Sequence, residues 1–201
     1  MTENIFFKLK QNSIGNFKIK KSEFISYAYV VRNEEEIKDI LKQIRKKHYD
    51  ANHIPYAYIL GTKNKKFFCS DDGEPSNSAG QSILNTIRSF NITNVLLLVV
   101  RYFGGVKLGI PGLIDAFKSA SIQAINNNQI IEFVPGSYFE LIVDNNESYK
   151  LINLLKKNKV NIIENNINFN NSILIYIPVN QRNLLYEQIE PLIISYSERY
   201  E

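Results

Sequence analysis

Leu96-Leu97-Leu98-Val99-Val100-Arg101-Tyr102-Phe103-Gly104-Gly105-Val106-Lys107-Leu108-Gly109 is the stretch that decides how this chain is read. It opens as a continuous apolar run, the pattern of a strand covered on both faces. It stops at Arg101, two aromatics and a glycine pair. Gly104 and Gly105 let the backbone take φ > 0 or admit another backbone at close range. Pro111 then falls where a helix places its first residue, since its missing N–H is not needed there. The unit is strand, glycine turn, helix. It aims free backbone N–H groups and the positive end of a helix at one spot, flanked by Arg101 and Lys107. A tight turn that merely contains basic residues fits the same pattern. The spacing matches neither G-x-G-x-x-G nor G-x-x-x-x-G-K-[ST], so neither a dinucleotide fingerprint nor a P-loop is present.

A second informative stretch precedes it, Ser70-Asp71-Asp72-Gly73-Glu74-Pro75-Ser76-Asn77-Ser78-Ala79-Gly80. Asp71, Asp72 and Glu74 concentrate negative charge in a loop. Such carboxylates can ligate a hard cation, or they can accept backbone N–H groups and hold the loop shut. The calcium-loop spacing is missing. A structural or substrate-orienting role is the expectation, with no metal and no other cofactor. Ser76, Asn77 or Ser78 offers a cap for the helix that follows, where Ile83, Leu84, Ile87 and Phe90 repeat on one side. His53 has two readings, a general base or a hydrogen-bonded structural residue.

The rest of the chain is read around these stretches. Residues 17–31 read as a strand with a bend at Lys20-Lys21. Asn33 and Glu34-Glu35-Glu36 open a helix with a stripe of Ile37, Ile40, Leu41 and Ile44, closed by Arg45, Lys46, Lys47 and His48 as the helix dipole prefers. Strands are expected at 54–60 and 66–70, joined by Gly61-Thr62-Lys63-Asn64, and a helix at 112–127. Val134-Pro135-Gly136-Ser137 is the candidate linker, which gives domains 1–135 and 136–201. The tail has the order βαββαβ, that of a ferredoxin-like α/β sandwich. Asn165-Asn166-Ile167-Asn168-Phe169-Asn170-Asn171 reads as loop drift.

Composition sets the outer limits. The 201 residues fit one large or two small domains. A single cysteine, Cys69, forms no internal disulfide and excludes a multi-thiolate zinc site. No signal-peptide pattern is visible and no apolar run suits a membrane span, so a soluble cytoplasmic protein is expected, with no membrane partner. There are 29 Ile and 25 Asn, an AT-rich coding bias that also inflates Lys. Residues 1–136 hold 18 basic and 12 acidic side chains, +6; residues 137–201 hold 6 and 8, −2. A basic first part suits a polyanionic partner.

Four blocks in order resemble the IMPACT family, in its two-domain bacterial, YigZ-like type. They are Lys20-Lys21-Ser22 with Phe24-Ile25; Asp50-Ala51-Asn52-His53; Ser70 to Pro75 with Ala79-Gly80; and Arg101 to Gly105 with Lys107-Leu108-Gly109. The resemblance implies an α+β protein. Its first domain would have the ribosomal protein S5 domain 2-like fold, a sheet backed by two helices, followed by a ferredoxin-like C-terminal domain. It also implies a likeness to the last two domains of elongation factor G, and so to a ribosome or RNA surface. Eukaryotic relatives act in translation control by binding a regulator of a stress kinase. The chain departs from the family pattern at Glu23, Asn77, Ser78, Pro111 and Asp115. Pro111 replaces a glycine and Asp115 a positive charge.

The expectation for function is a non-catalytic, translation-associated regulatory protein that binds RNA or the ribosome. Its binding surface would be drawn from Arg101, Gly104, Gly105, Lys107, His53, Asp71, Asp72 and Glu74. Two alternatives stay open: a protein-interaction module without nucleic acid, and an enzyme acting on a phosphorylated or nucleotide substrate. The position of Arg101 relative to Asp72 and Glu74 discriminates a buried architectural clasp from an open site.

Overall fold

The computed structural model describes residues 5–62 and 65–200. The start Met1 to Asn4 and the Lys63-Asn64 half of the expected turn lie outside them. The chain divides into two compact units, Phe6–Phe133 and a second that begins at Val134. The first contains β1 (Phe6–Leu9), β2 (Ser13–Ile19), β3 (Ser22–Val30), α1 (Glu34–Lys47), β4 (Tyr56–Leu60), β5 (Lys66–Ser70), α2 (Gly80–Ser89), β6 (Val95–Tyr102), α3 (Gly109–Asn126) and β7 (Ile130–Phe133).

Five of these strands form an antiparallel sheet in the order β2-β3-β6-β4-β5. The apolar run is its central strand, and Val95 to Val100 are all buried. Period-two alternation sends Val95, Leu97 and Val99 into a core with α2 and α3, while Leu96, Leu98 and Val100 meet α1 on the other face. Two helices back one face, as expected of the S5 domain 2-like fold; α1 covers the other. On the α2–α3 side, Phe24 and Phe117 meet edge to face at 5.1 Å, fully buried. Such a pair adds about 0.5–1.5 kcal/mol beyond area burial.

Residues 17–31 are more than a bent strand. Lys20 and Lys21 have φ of 44° and 64°, and β2 turns back on β3 through them as a two-residue hairpin. β1 and β7 pair as a separate ribbon that the sequence reading did not foresee. Helix α3 begins at Gly109, so Pro111 sits third in its first turn, where its missing N–H still costs nothing.

The second unit contains β8 (Gly136–Ile142), α4 (Ser148–Lys157), β9 (Asn161–Asn166), α5 (Ile167–Asn170), β10 (Ser172–Pro178), α6 (Arg182–Ile189), a short 3₁₀ turn at Glu190–Leu192 and β11 (Ser195–Tyr200). The sheet order β11-β8-β10-β9 with α4 and α6 is the ferredoxin-like arrangement. Gly136 and Ser137, read as linker, already belong to β8. A Cβ at Gly136 would collide with the Ile177 carbonyl of β10. The Asn-rich run is likewise structured: it ends β9 and forms α5, because pairing with β10 satisfies its backbone. Among the described residues no helix is long and apolar enough to cross a membrane.

Candidate functional site

The C-terminal end of β6 gathers the residues that the sequence singles out. Past Tyr102 the chain turns through Phe103-Gly104-Gly105 and runs against the Lys20-Lys21 hairpin. The Gly104 N–H donates to Ser22 Oγ at 3.0 Å, and a Cβ at Gly104 would overlap the Lys21 carbonyl. Gly104 is therefore required by close backbone approach. Gly105 serves differently: its φ is +84°, and a Cβ there would meet nothing within 4 Å. Lys20, Lys21, Phe103 and Lys107 are all exposed around this contact.

Arg101 points the other way, into the acidic loop. Its Nη1 donates to both Glu74 oxygens at 2.6 Å, and the two side chains are 12% and 0% exposed. The guanidinium also lies 5.7 Å from the Phe24 ring centre and 5.6 Å from that of Phe103. Arg101 Nε is buried with no hydrogen-bond partner. On the backbone, the Arg101 N–H donates to the His53 carbonyl at 3.2 Å, which fixes the 50–55 segment beside β6.

Each remaining carboxylate of the loop is engaged. Asp71 accepts from the N–H groups of Asn77 (2.8 Å), Ala79 (3.0 Å) and Gly80 (2.8 Å), so it caps α2 from eight residues upstream. The expected caps Ser76, Asn77 and Ser78 do not do this; the helix N-cap is Ala79. Asp72 accepts from Arg45 Nη2 (2.8 and 2.7 Å) and from the Ile54 N–H (2.6 Å). The Asp72 carbonyl sits 2.7 Å from His53 Nδ1. Gly73, at φ +90°, leaves the room that the His53 ring fills.

The structure thus brings Arg101, Glu74, Asp72, Asp71 and His53 into one connected clasp. Gly104, Gly105 and Lys107 are left on the hairpin side. Glu74 and Asp71 were expected on a surface. Glu74 is interior, and the Asp71 carboxylate is spent on three backbone donors, because a loop with so many free N–H groups closes around the acids it carries. Among the described residues no group of three or more His, Cys, Asp or Glu is placed to hold a metal ion.

The sequence reading missed a second chain of polar groups, on the opposite face of the same strand end. His48 is buried, with Nε2 2.8 Å from Tyr27 Oη and Nδ1 2.8 Å from Tyr102 Oη. Lys47 Nζ donates to Tyr27 Oη (3.3 Å), and Tyr102 O–H donates to Asp50 Oδ1 (3.3 Å). With its ends fixed so, the chain has one consistent direction: Lys47 to Tyr27 to His48 to Tyr102 to Asp50. It requires a neutral imidazole carrying its proton on Nδ1. Burial, reinforced by Lys47, holds His48 below the ordinary imidazole range, while Asp50 opposes. Burial, with Asp50 nearby, raises Tyr102. The sequence alone gives His48 only a place in the basic end of α1 that complements the helix dipole. No local sequence pattern links these groups, which the fold brings together from β3, β6 and the end of α1.

A pH dependence follows. Below about pH 6.5 the unfolded chain protonates this histidine while the folded site resists, so stability falls as pH falls through that value. Denaturant titrations between about pH 7 and 5.5 should show this loss, and His48→Gln should remove its share of the slope. An NMR titration should find His48 titrating at a lower pH than a free imidazole.

The fold and the clasp define a two-domain α+β protein built around a glycine turn on a lysine hairpin. The model of the Impact N-terminal domain matches residues 20–125. The chain is 33% identical over 127 residues to the IMPACT family member YvyE of Bacillus subtilis, covering 63% of this chain and 58% of that one. It is 31% identical over 147 residues to an IMPACT family member of Haemophilus influenzae, covering 72% and 71%. It belongs to the IMPACT family. The matched stretch spans little over half of YvyE, and 53% of YigZ of Escherichia coli. A solved structure described as that of a hypothetical protein superposes with a TM-score of 0.67 at 23% identity, covering 100% of this chain and 98% of the other. That likeness speaks to the fold alone.

Proposed function

We propose that the chain is a cytoplasmic, non-catalytic regulator of translation that binds RNA or the ribosome through the surface where the Lys20-Lys21 hairpin meets Gly104. The family resemblance supports the translation assignment, and the contact itself carries the binding reading. Two lysines at φ 44° and 64° occupy positions that Asn-Gly would fill with little strain. Side chains other than Gly and Asn cost about 1–2 kcal/mol each there. Charge at that spot is the gain that offsets the strain. Phe103, 50% exposed and next to Gly104, offers a ring for a base to stack on, with the Arg101 guanidinium beside it. Lys107 extends the positive surface. The acidic loop supports this surface from inside by holding Arg101.

Binding to single-stranded RNA and to ribosomes, followed by anisotropy and co-sedimentation, should weaken with salt. The log–log slope should be roughly −0.7 per phosphate contacted. Lys20→Gln/Lys21→Gln should make that slope shallower by about 1.4, while Lys20→Arg/Lys21→Arg keeps it. Binding indifferent to salt, or unchanged in the Gln variant, overturns the reading.

A further inference from the structure

The five-stranded sheet has two edges, and they are treated differently. Ladder alternation shows which backbone groups each edge exposes. The Val99 N–H donates to the Pro55 carbonyl and the Arg101 N–H to that of His53, so odd-numbered residues of the β4 segment face β6. Tyr56, Tyr58 and Leu60 therefore face β5, where their partners are Ser70, Phe68 and Lys66. The N–H and C=O groups of Phe67 and Cys69 are left pointing outward. The same alternation turns Ile14, Asn16 and Lys18 outward from β2. There the Ile14 carbonyl accepts from Asn127 Nδ2 at 2.8 Å, and Gln11, just before the strand, from Asn128 Nδ2 at 2.5 Å. The end of α3 thus covers the start of the β2 edge, from Gln11 to Ile14. Among the described residues no backbone hydrogen bond from another element reaches the outer side of β5.

The bare edge is also aromatic on both faces. Phe67 is 57% and Phe68 48% exposed. Phe67 sits over Arg88, 4.7 Å from the ring centre, beside a groove of about 230 Å³ floored by Ile59 and Ile92. Phe68 stacks on Tyr58 at 6.0 Å, beside a groove of about 330 Å³ floored by Ile37 and Leu41. Edge strands are ordinarily blunted by short length, lysines, proline, bulges or inward-pointing charge; β5 is short and opens on Lys66, but carries no proline, bulge or charge from Phe67 to Ser70. The surroundings are basic. Lys65 and Arg88 border the first groove and Lys38 the second; the one carboxylate lining them, Glu34, accepts from Tyr58 O–H at 2.8 Å and pairs with Lys66 at 3.8 Å.

We propose that β5 is a docking strand for an extended acidic segment of a partner protein, which adds to the sheet as a sixth strand. Its backbone pairs with Phe67 and Cys69, its alternate apolar side chains enter the two grooves, and its carboxylates meet Lys38, Lys65 and Arg88. A second copy of this chain would bring the same cations together. The site lies at the sheet edge opposite the lysine hairpin and stands independently of the RNA reading.

The probe is a short fluorescein-labelled peptide of alternating Glu and Val. It should bind, and at saturation it should slow amide hydrogen exchange at Phe67 and Cys69 by roughly tenfold or more. Lys66 and Phe68, already bonded to β4, should be unchanged. Replacing Glu by Lys in the peptide, N-methylating its valines, or introducing Phe67→Ser/Phe68→Ser into the protein should each weaken binding by about tenfold, or 1.4 kcal/mol. Equal affinity for the Glu and Lys peptides, or uniform protection along β5, overturns the proposal. So does self-association abolished by Phe67→Ser/Phe68→Ser, or the same protection pattern produced by an RNA oligonucleotide.

Discussion

Glu74→Leu should lower the free energy of unfolding by about 3–5 kcal/mol, because it strands the Arg101 cation where it is 88% shielded from water. Arg101→Met should cost a similar amount, since it leaves a fully buried carboxylate. The double variant Glu74→Leu/Arg101→Met should cost far less than the sum of the two, as both charges leave together. Urea titrations with an unchanged denaturant slope would measure all three. Additive losses would mean that the two groups act separately, contrary to their 2.6 Å contact.

The glycine pair should split in its response to alanine. Gly104→Ala forces a methyl group into the Lys21 carbonyl, and main chain has little room to yield. A loss of about 3 kcal/mol is expected. Displacement of the hairpin should also weaken RNA binding, even though no charge is removed. Gly105→Ala meets open space and carries only the cost of a left-handed backbone, about 1–2 kcal/mol. Gly105→Asn should recover part of it, since asparagine tolerates that region. Equal losses at the two positions would contradict the close approach at Gly104.

Much of this was legible in the sequence, for identifiable reasons. The run from Leu96 to Val100 reads as a strand buried on both faces because it is short, β-branched in part and soon followed by a glycine pair, and Asn33 with three glutamates names the start of α1 almost to the residue. The acidic loop and Arg101 stood out as complementary charges. Their pairing is one of the two arrangements the sequence leaves open, but which carboxylate takes the arginine is not readable from it. Asp71, Asp72 and Glu74 are chemically alike, and only the folded loop separates their tasks. The hairpin was missed because Lys20-Lys21 carries no turn chemistry of its own; a tertiary contact with Gly104 accompanies the reversal. The His48 chain was missed because its members come from β3, α1, β6 and the loop after α1, none adjacent to another except Lys47 and His48. The β1–β7 ribbon escaped because its strands are four residues each and far apart in the chain.

The central strand raises a question of register that its own side chains do not answer. Val95 to Val100 bury nearly equivalent apolar groups on both faces, so sliding by one residue would exchange one hydrophobic set for another at little penalty. In most strands a slip sends the core face into water; here it would not. The two residues that end β6 remove the ambiguity. Arg101 has its carboxylate on one face, and Tyr102 its imidazole on the other. A shift of one position would turn the guanidinium toward His48 and the phenol toward Glu74. The adjacent polar pair therefore acts as a key that admits one alignment of an otherwise uncoded strand. Through Gly104, that alignment also sets where the two lysines stand.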